Sequence, residues 1–152
     1  MTLRQTSGTS NIIGGGAKNA EDKIIQFDGS GTVVADGFYA DTFGKLVRCI
    51  LNPPAYAIFL LTRESSSCGN CVKQIERHIM IKNVIAKNGK FLVGTNENYG
   101  DTVEIKSACL KNVKKICSAF DANDNGAEPT EISTGPNPAV CQYDPSVITS
   151  NC

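Results

Sequence analysis

The sequence predicts an all-β fold, a parallel β-helix, and three observations carry that expectation. Short runs alternate apolar with polar residues at period two, as half-buried strands do. The runs share one template at a spacing suited to stacked coils. Helical spacing is sustained nowhere. A β-sandwich would give similar short strands, so the pattern alone leaves that alternative open.

The first element is an incomplete copy, Asn11-Ile12-Ile13-Gly14-Gly15-Gly16, about 22 residues before Gly37-Phe38. Thr32-Val33-Val34-Ala35-Asp36-Gly37-Phe38 is the first full copy, apolar at its second and fourth positions and polar or small at its fifth and sixth. His78-Ile79-Met80-Ile81-Lys82-Asn83-Val84 and Thr102-Val103-Glu104-Ile105-Lys106-Ser107-Ala108 repeat it, with Gly or Asn marking tight turns. Val84 to Ala108 is 24 residues, one coil. Phe38 to Val84 is 46, which falls to 28 when the 18-residue segment 49–66 is set aside. Asp121 to Tyr143, rich in Asp, Asn, Gly and Pro, reads as a long ordered loop.

Composition sets the outer limits. A chain of 152 residues, 41% hydrophobic and 20% charged, suits one globular domain. Fifteen basic and fifteen acidic residues leave no net charge, which argues against a nucleic-acid partner or a polybasic membrane surface. The longest apolar stretch, Ala55 to Leu61, falls far short of the roughly 20 residues that span a bilayer. Seven Cys suggest an oxidising compartment and leave one thiol unpaired, whereas Met1 to Gly16 carries no signal-peptide pattern.

Specific strings then add a family. Gly14-Gly15-Gly16-Ala17-Lys18-Asn19-Ala20-Glu21-Asp22-Lys23-Ile24-Ile25-Gln26 resembles the GGGAKNAxDKVxQ segment of the family 3 pectate lyases. Phe43-Gly44-Lys45-Leu46-Val47-Arg48, Ser67-Cys68-Gly69-Asn70-Cys71, Asn96-Glu97-Asn98-Tyr99-Gly100-Asp101-Thr102 and Gly126-Ala127-Glu128-Pro129-Thr130 follow in the family's order. The resemblance implies a right-handed parallel β-helix, a single-stranded solenoid secreted from the cell and monomeric. It further implies cleavage of de-esterified polygalacturonate in pectin by β-elimination, with calcium as cofactor.

That chemistry requires clustered cations. Removing the proton at carbon 5 of a galacturonate builds negative charge onto the adjacent carboxylate, so a base and fixed positive charge are needed together. Carried over by motif, Lys23, Lys45 and Arg48 match the family's catalytic and substrate-binding basic residues. Lys23 and Lys45 are 22 residues apart, one coil, and should stack on one face. Lys23 is the favoured base, since neighbouring cations disfavour a charged Lys; Lys45 and Arg48 grip the carboxylate. Arg48 as base is the alternative, although guanidinium groups almost never release a proton. Without the family strings, three basic residues on a solenoid would read as solvated surface.

Other motifs are weaker. Asp121-Ala122-Asn123-Asp124-Asn125-Gly126 imitates an EF-hand start, but Ile132 replaces the closing Glu and Pro129 sits at the ninth position. Cys68 and Cys71 upstream of His78 lack a second close pair for zinc; disulfides among Cys68, Cys71, Cys117 and Cys141 are what the resemblance implies, since those four fall within family-like strings, in unspecified connectivity. His78 reads as structural.

Two departures from the family stand out. Residues 49–66 separate Arg48 from Ser67 where the family runs on almost directly, and Cys49 within them accounts for the odd thiol. The segment is apolar and matches no coil, so it is read as a retained intron or a gene-model error, with a lid over the cleft as the rival. The chain also begins where the family continues from a Glu-Asp pair, so the solenoid is expected to be incomplete at its N-terminal end. On this reading the calcium ligands lie upstream of Met1, no metal ligand falls within the chain, and residues 1–152 alone should be poorly soluble and nearly inactive. A non-catalytic β-helix that binds acidic polysaccharide, and an inert gene product, are the competing readings.

Overall fold

Apolar residues two apart along each repeat stack directly on their counterparts in the next. The computed structural model, which describes residues 1–48, 75–123 and 128–152, builds this stacking from twelve strands. They are β1 (Thr2–Leu3), β2 (Thr9–Ile13), β3 (Gly16–Phe27), β4 (Gly31–Asp36), β5 (Tyr39–Arg48) and β6 (Arg77–Lys82). β7 (Val84–Asn96), β8 (Thr102–Ile105), β9 (Ala108–Asp121), β10 (Thr130–Thr134), β11 (Cys141–Gln142) and β12 (Ile148–Thr149) complete them. One sheet runs β1-β3-β5-β7-β9-β10, with β12 also on β9; the other runs β11-β8-β6-β4-β2.

Every pairing of these strands is parallel except β10 on β9. That decides for the β-helix, because a sandwich is built from antiparallel sheets. The sequence copies coincide with the register: Thr32, His78 and Thr102 lie side by side, as do Val33, Ile79 and Val103. Val33, Ile79, Val103, Ala35, Ile81 and Ile105 fill the interior from this sheet, and Ala40, Ala86, Leu46 and Leu92 from the other.

The long strands bend at Asn19, Thr42, Asn88 and Asn112, equivalent positions with φ of 57°, 55°, 54° and 56°. Asn tolerates this left-handed region because its short amide bonds locally. Here the Asn112 amide donates to Asn88 Oδ1 at 3.1 Å, and the Asn88 amide to Asp41 Oδ1 at 2.9 Å. Each coil is thereby tied to the next at its corner.

The 121–143 stretch differs from the expected loop. β10 runs back antiparallel along β9, and β11 extends the second sheet beside β8. β10 carries only one apolar residue, Ile132, and is an edge strand held by backbone pairing, so no buried face marks it in sequence. Two disulfides join the described residues: Cys117–Cys141, within the expected set, and Cys109–Cys152, which was not anticipated. Cys49, Cys68, Cys71, the segment 49–66, the Ser67–Cys71 string and positions 124–127 of the EF-hand-like loop lie outside the described residues. No described helix is long and apolar enough to cross a membrane.

Candidate active site

β3 and β5 place Lys23 opposite Lys45. Across a strand spacing of about 4.8 Å, two ammonium groups in register repel one another. Asp22 offsets that repulsion, and a local irregularity of β3 puts it there. Between the register pairs Ala20↔Phe43 and Lys23↔Lys45, two residues of β3, Glu21 and Asp22, face the single Gly44. Such a bulge re-aims side chains. Asp22 Oδ2 accepts a hydrogen bond from Lys23 Nζ, and Oδ1 accepts one from Lys45 Nζ at 2.9 Å.

Gly44 is the residue this arrangement tolerates. A Cβ there would lie 2.4 Å from the backbone oxygen of Asp22 and 2.6 Å from that of Glu21. Partial burial pushes the Asp22 carboxyl up, but the hydrogen bonds from Lys23 and Lys45 outweigh it and hold the group below its ordinary 3.8. At neutral pH Asp22 is therefore a carboxylate, shared by the Lys23 and Lys45 side chains.

The column continues along the axis. Lys45 pairs with Phe91, and Phe91 with Lys115. The Lys115 ammonium lies 5.2 Å from the Phe91 ring centroid and is gripped by both carboxylate oxygens of Glu131 on β10, at 2.6 and 2.7 Å. Sequence reasoning reached only the first two members of this column. The same coil steps, 46 and then 24 residues from Lys45, arrive at Phe91 and Lys115. Asp22 stood in the quoted string without a role, and Glu131 stood in the presumed loop.

Arg48 is placed apart from the two lysines' shared carboxylate. It ends β5 fully buried, its Nη1 donating to the Thr95 carbonyl at 3.3 Å and its guanidinium 3.6 Å from the Phe120 ring centroid. The structure thus joins Lys23 with Lys45 and sets Arg48 beneath the surface.

Among the described residues no three His, Cys, Asp or Glu group together to hold a metal. Asp22, the carboxylate nearest the lysines, already faces two positive charges. These residues do not fit a calcium site, and no step below runs through one. What they do fit is a carboxylate: two ammonium groups on adjacent coils converge on one.

Comparison with known proteins points the same way. A family model described as pectate lyase matches residues 1–55 and 61–127. Probable pectate lyase D from Aspergillus fumigatus is 49% identical over 144 residues, covering 94% of this chain and 52% of the relative. Pectate lyase H from Emericella nidulans is 44% identical over 139 residues, covering 90% and 46%. The chain spans about half the length of the curated relatives it matches. Among solved structures, the catalytic domain of pectate lyase PelI from Erwinia chrysanthemi superposes with a TM-score of 0.71 at 25% identity, covering 93% of this chain and 62% of that one. PelI in complex with tetragalacturonic acid gives 0.69 at 24% identity, covering 93% and 44%.

Proposed function

The chain belongs to the pectate lyase family, and from that premise we propose that its residues form part of an enzyme cleaving de-esterified polygalacturonate by β-elimination. The observation that carries the proposal is the bridge from Lys23 through Asp22 to Lys45, because it displays a carboxylate held between two ammonium groups. A galacturonate carboxylate is the same group on a sugar.

In this reading Lys23 first gives up its own proton to solvent and then, as the free amine, takes the proton from carbon 5. The electron pair forms the carbon 4–carbon 5 double bond, the carbon 4–oxygen bond breaks, and the departing oxygen takes up a proton from water. Negative charge grows on the carboxylate at carbon 5 during proton removal, where Lys45 opposes it. Arg48 enters as positive charge fixed beneath the sheet, where lower polarity extends its field. Its burial and its reluctance to lose a proton both set it aside as base. The two disulfides among the described residues suit a protein that works outside the cell.

The pairing of both lysines with Asp22 favours a second reading, in which the solenoid binds acidic polysaccharide without cleaving it. Ultraviolet absorbance of the unsaturated uronate product separates the two. Product from the wild type and none from Lys23→Ala supports the proposal. Undiminished product from Lys23→Ala removes Lys23 from the chemistry, and pectate binding without product leaves the second reading.

A further inference from the structure

A second cluster of positive charge lies at the corner where the long strands bend. Lys87 and Lys111 face each other in the register of β7 and β9. Lys90 and Lys114 fall between the register pairs Gly89↔Val113 and Phe91↔Lys115, and so also face each other across the same coil step. The four mark a square astride the Asn88–Asn112 amide pair. Lys90, Lys111 and Lys114 are exposed and Lys87 is partly exposed. Lys90, Lys114, Asn88 and Asn112 line one recess of about 710 Å³.

The arrangement is electrostatically unfavourable as it stands. Like charges directly opposite on neighbouring strands destabilise a sheet. At Lys23 and Lys45 the same problem is met by Asp22, and at Lys115 by Glu131. At the square it is not met: among the described residues none of the four lysines forms an ion pair. Two acids lie near. Asp41 stands in register with Lys87 but accepts hydrogen bonds from Asn88, Thr42 and Tyr39, and Glu21 lines the far side of the recess.

We propose that the lysine square Lys87, Lys90, Lys111 and Lys114 is a binding site for a run of polyuronate, separate from the Lys23–Lys45 pair, that anchors the protein to its polymer. The proposal rests on the pectate lyase reading for the identity of the polymer. Three features select a carboxylate chain: four lysines in no ion pair among the described residues, although Lys87 lies 5.9 Å from the Tyr39 ring centroid, amide groups between them that can bond sugar hydroxyls, and a coil spacing of about 4.8 Å, close to the length of one hexuronate residue. Because the square faces solvent, its grip should weaken with salt.

The test is affinity electrophoresis of the 152-residue chain through gels containing polygalacturonate, with the double variant Lys90→Gln/Lys114→Gln beside wild type. The expected result is a weakening of retardation by about three- to tenfold, as for two partly screened charges. Thermal unfolding without polymer should be unchanged or slightly raised, since repulsion is relieved, and polygalacturonate should raise the wild type's midpoint more than the variant's. Equal retardation of variant and wild type overturns the proposal. So does equal retention by fully methyl-esterified pectin or by duplex DNA, which would show that carboxylate recognition is not involved. Lys23→Gln in the same gels keeps the two sites apart: loss of product with retained retardation leaves the square standing, and failure of catalysis in the wild type overturns only the lyase reading.

Discussion

Asp22 reaches across one coil to accept a hydrogen bond from Lys45, 2.9 Å away, while it also bonds Lys23 beside it. One carboxylate thus holds two in-register lysines that would otherwise push apart. Its folded-state pKa lies below 3.8, so the stability it contributes is complete above that value and is lost as pH falls through the lower folded value. Asp22→Asn should therefore lower the unfolding midpoint near neutral pH, by less than about 1 kcal/mol because the carboxylate is largely exposed. The gap between wild type and variant should close in strong acid. In the lyase assay the variant should lose kcat about tenfold with no rise in KM, since the lysines lose alignment but not charge.

Gly44 sets the limit on that arrangement. A methyl group there meets backbone oxygens, which cannot rotate away as a side chain can. Gly44→Ala should shift the bulge at Glu21 and Asp22, lowering stability by about 1–3 kcal/mol and lyase activity more than Asp22→Asn does. Denaturant titration alongside product absorbance checks both. Activity equal to wild type would show that the bulge does not position Lys23.

The repeat was legible because its apolar residues obey a single rule on every coil. Val33, Ile79 and Val103 must face inward, so their spacing records the coil length directly. Lys23 and Lys45 were legible through the family strings and the same spacing. Asp22 was not singled out, because its role depends on a bulge and nothing in the residue types announces a change of register. Glu131 was hidden for another reason: β10 is held by backbone hydrogen bonds along an edge, which leave no apolar pattern. Arg48 shows the reverse failure. A motif places a cation in sequence but does not say whether its head faces solvent or the Phe120 ring.

Thr42 occupies the corner position that Asn fills on the three other coils, with φ of 55°. A β-branched residue fits the left-handed region poorly. Thr42→Asn should stabilise the fold by about 1 kcal/mol, read as a higher denaturant midpoint at unchanged slope. A lower midpoint would mean that the Thr42 hydroxyl bond to Asp41 Oδ1, 3.2 Å long, matters more than backbone strain.

Glu131 closes the column that begins at Lys23. By binding Lys115 through both oxygens it neutralises the fourth position, so an acidic polymer lying along the axis meets net positive charge on one side of Phe91 only, where two lysines share one carboxylate. The pair is partly exposed, with side-chain accessibilities of 38% and 28%, so removing it should cost under about 1 kcal/mol of stability. Glu131→Gln keeps the shape of the side chain and releases the Lys115 charge. KM should then fall about two- to fivefold for polymer, and little for oligomers too short to pass Phe91, with kcat unchanged for both. An equal fall for short and long substrates would mean that Lys115 acts through the general field of the protein. No fall for either would mean that the bound chain does not follow this column.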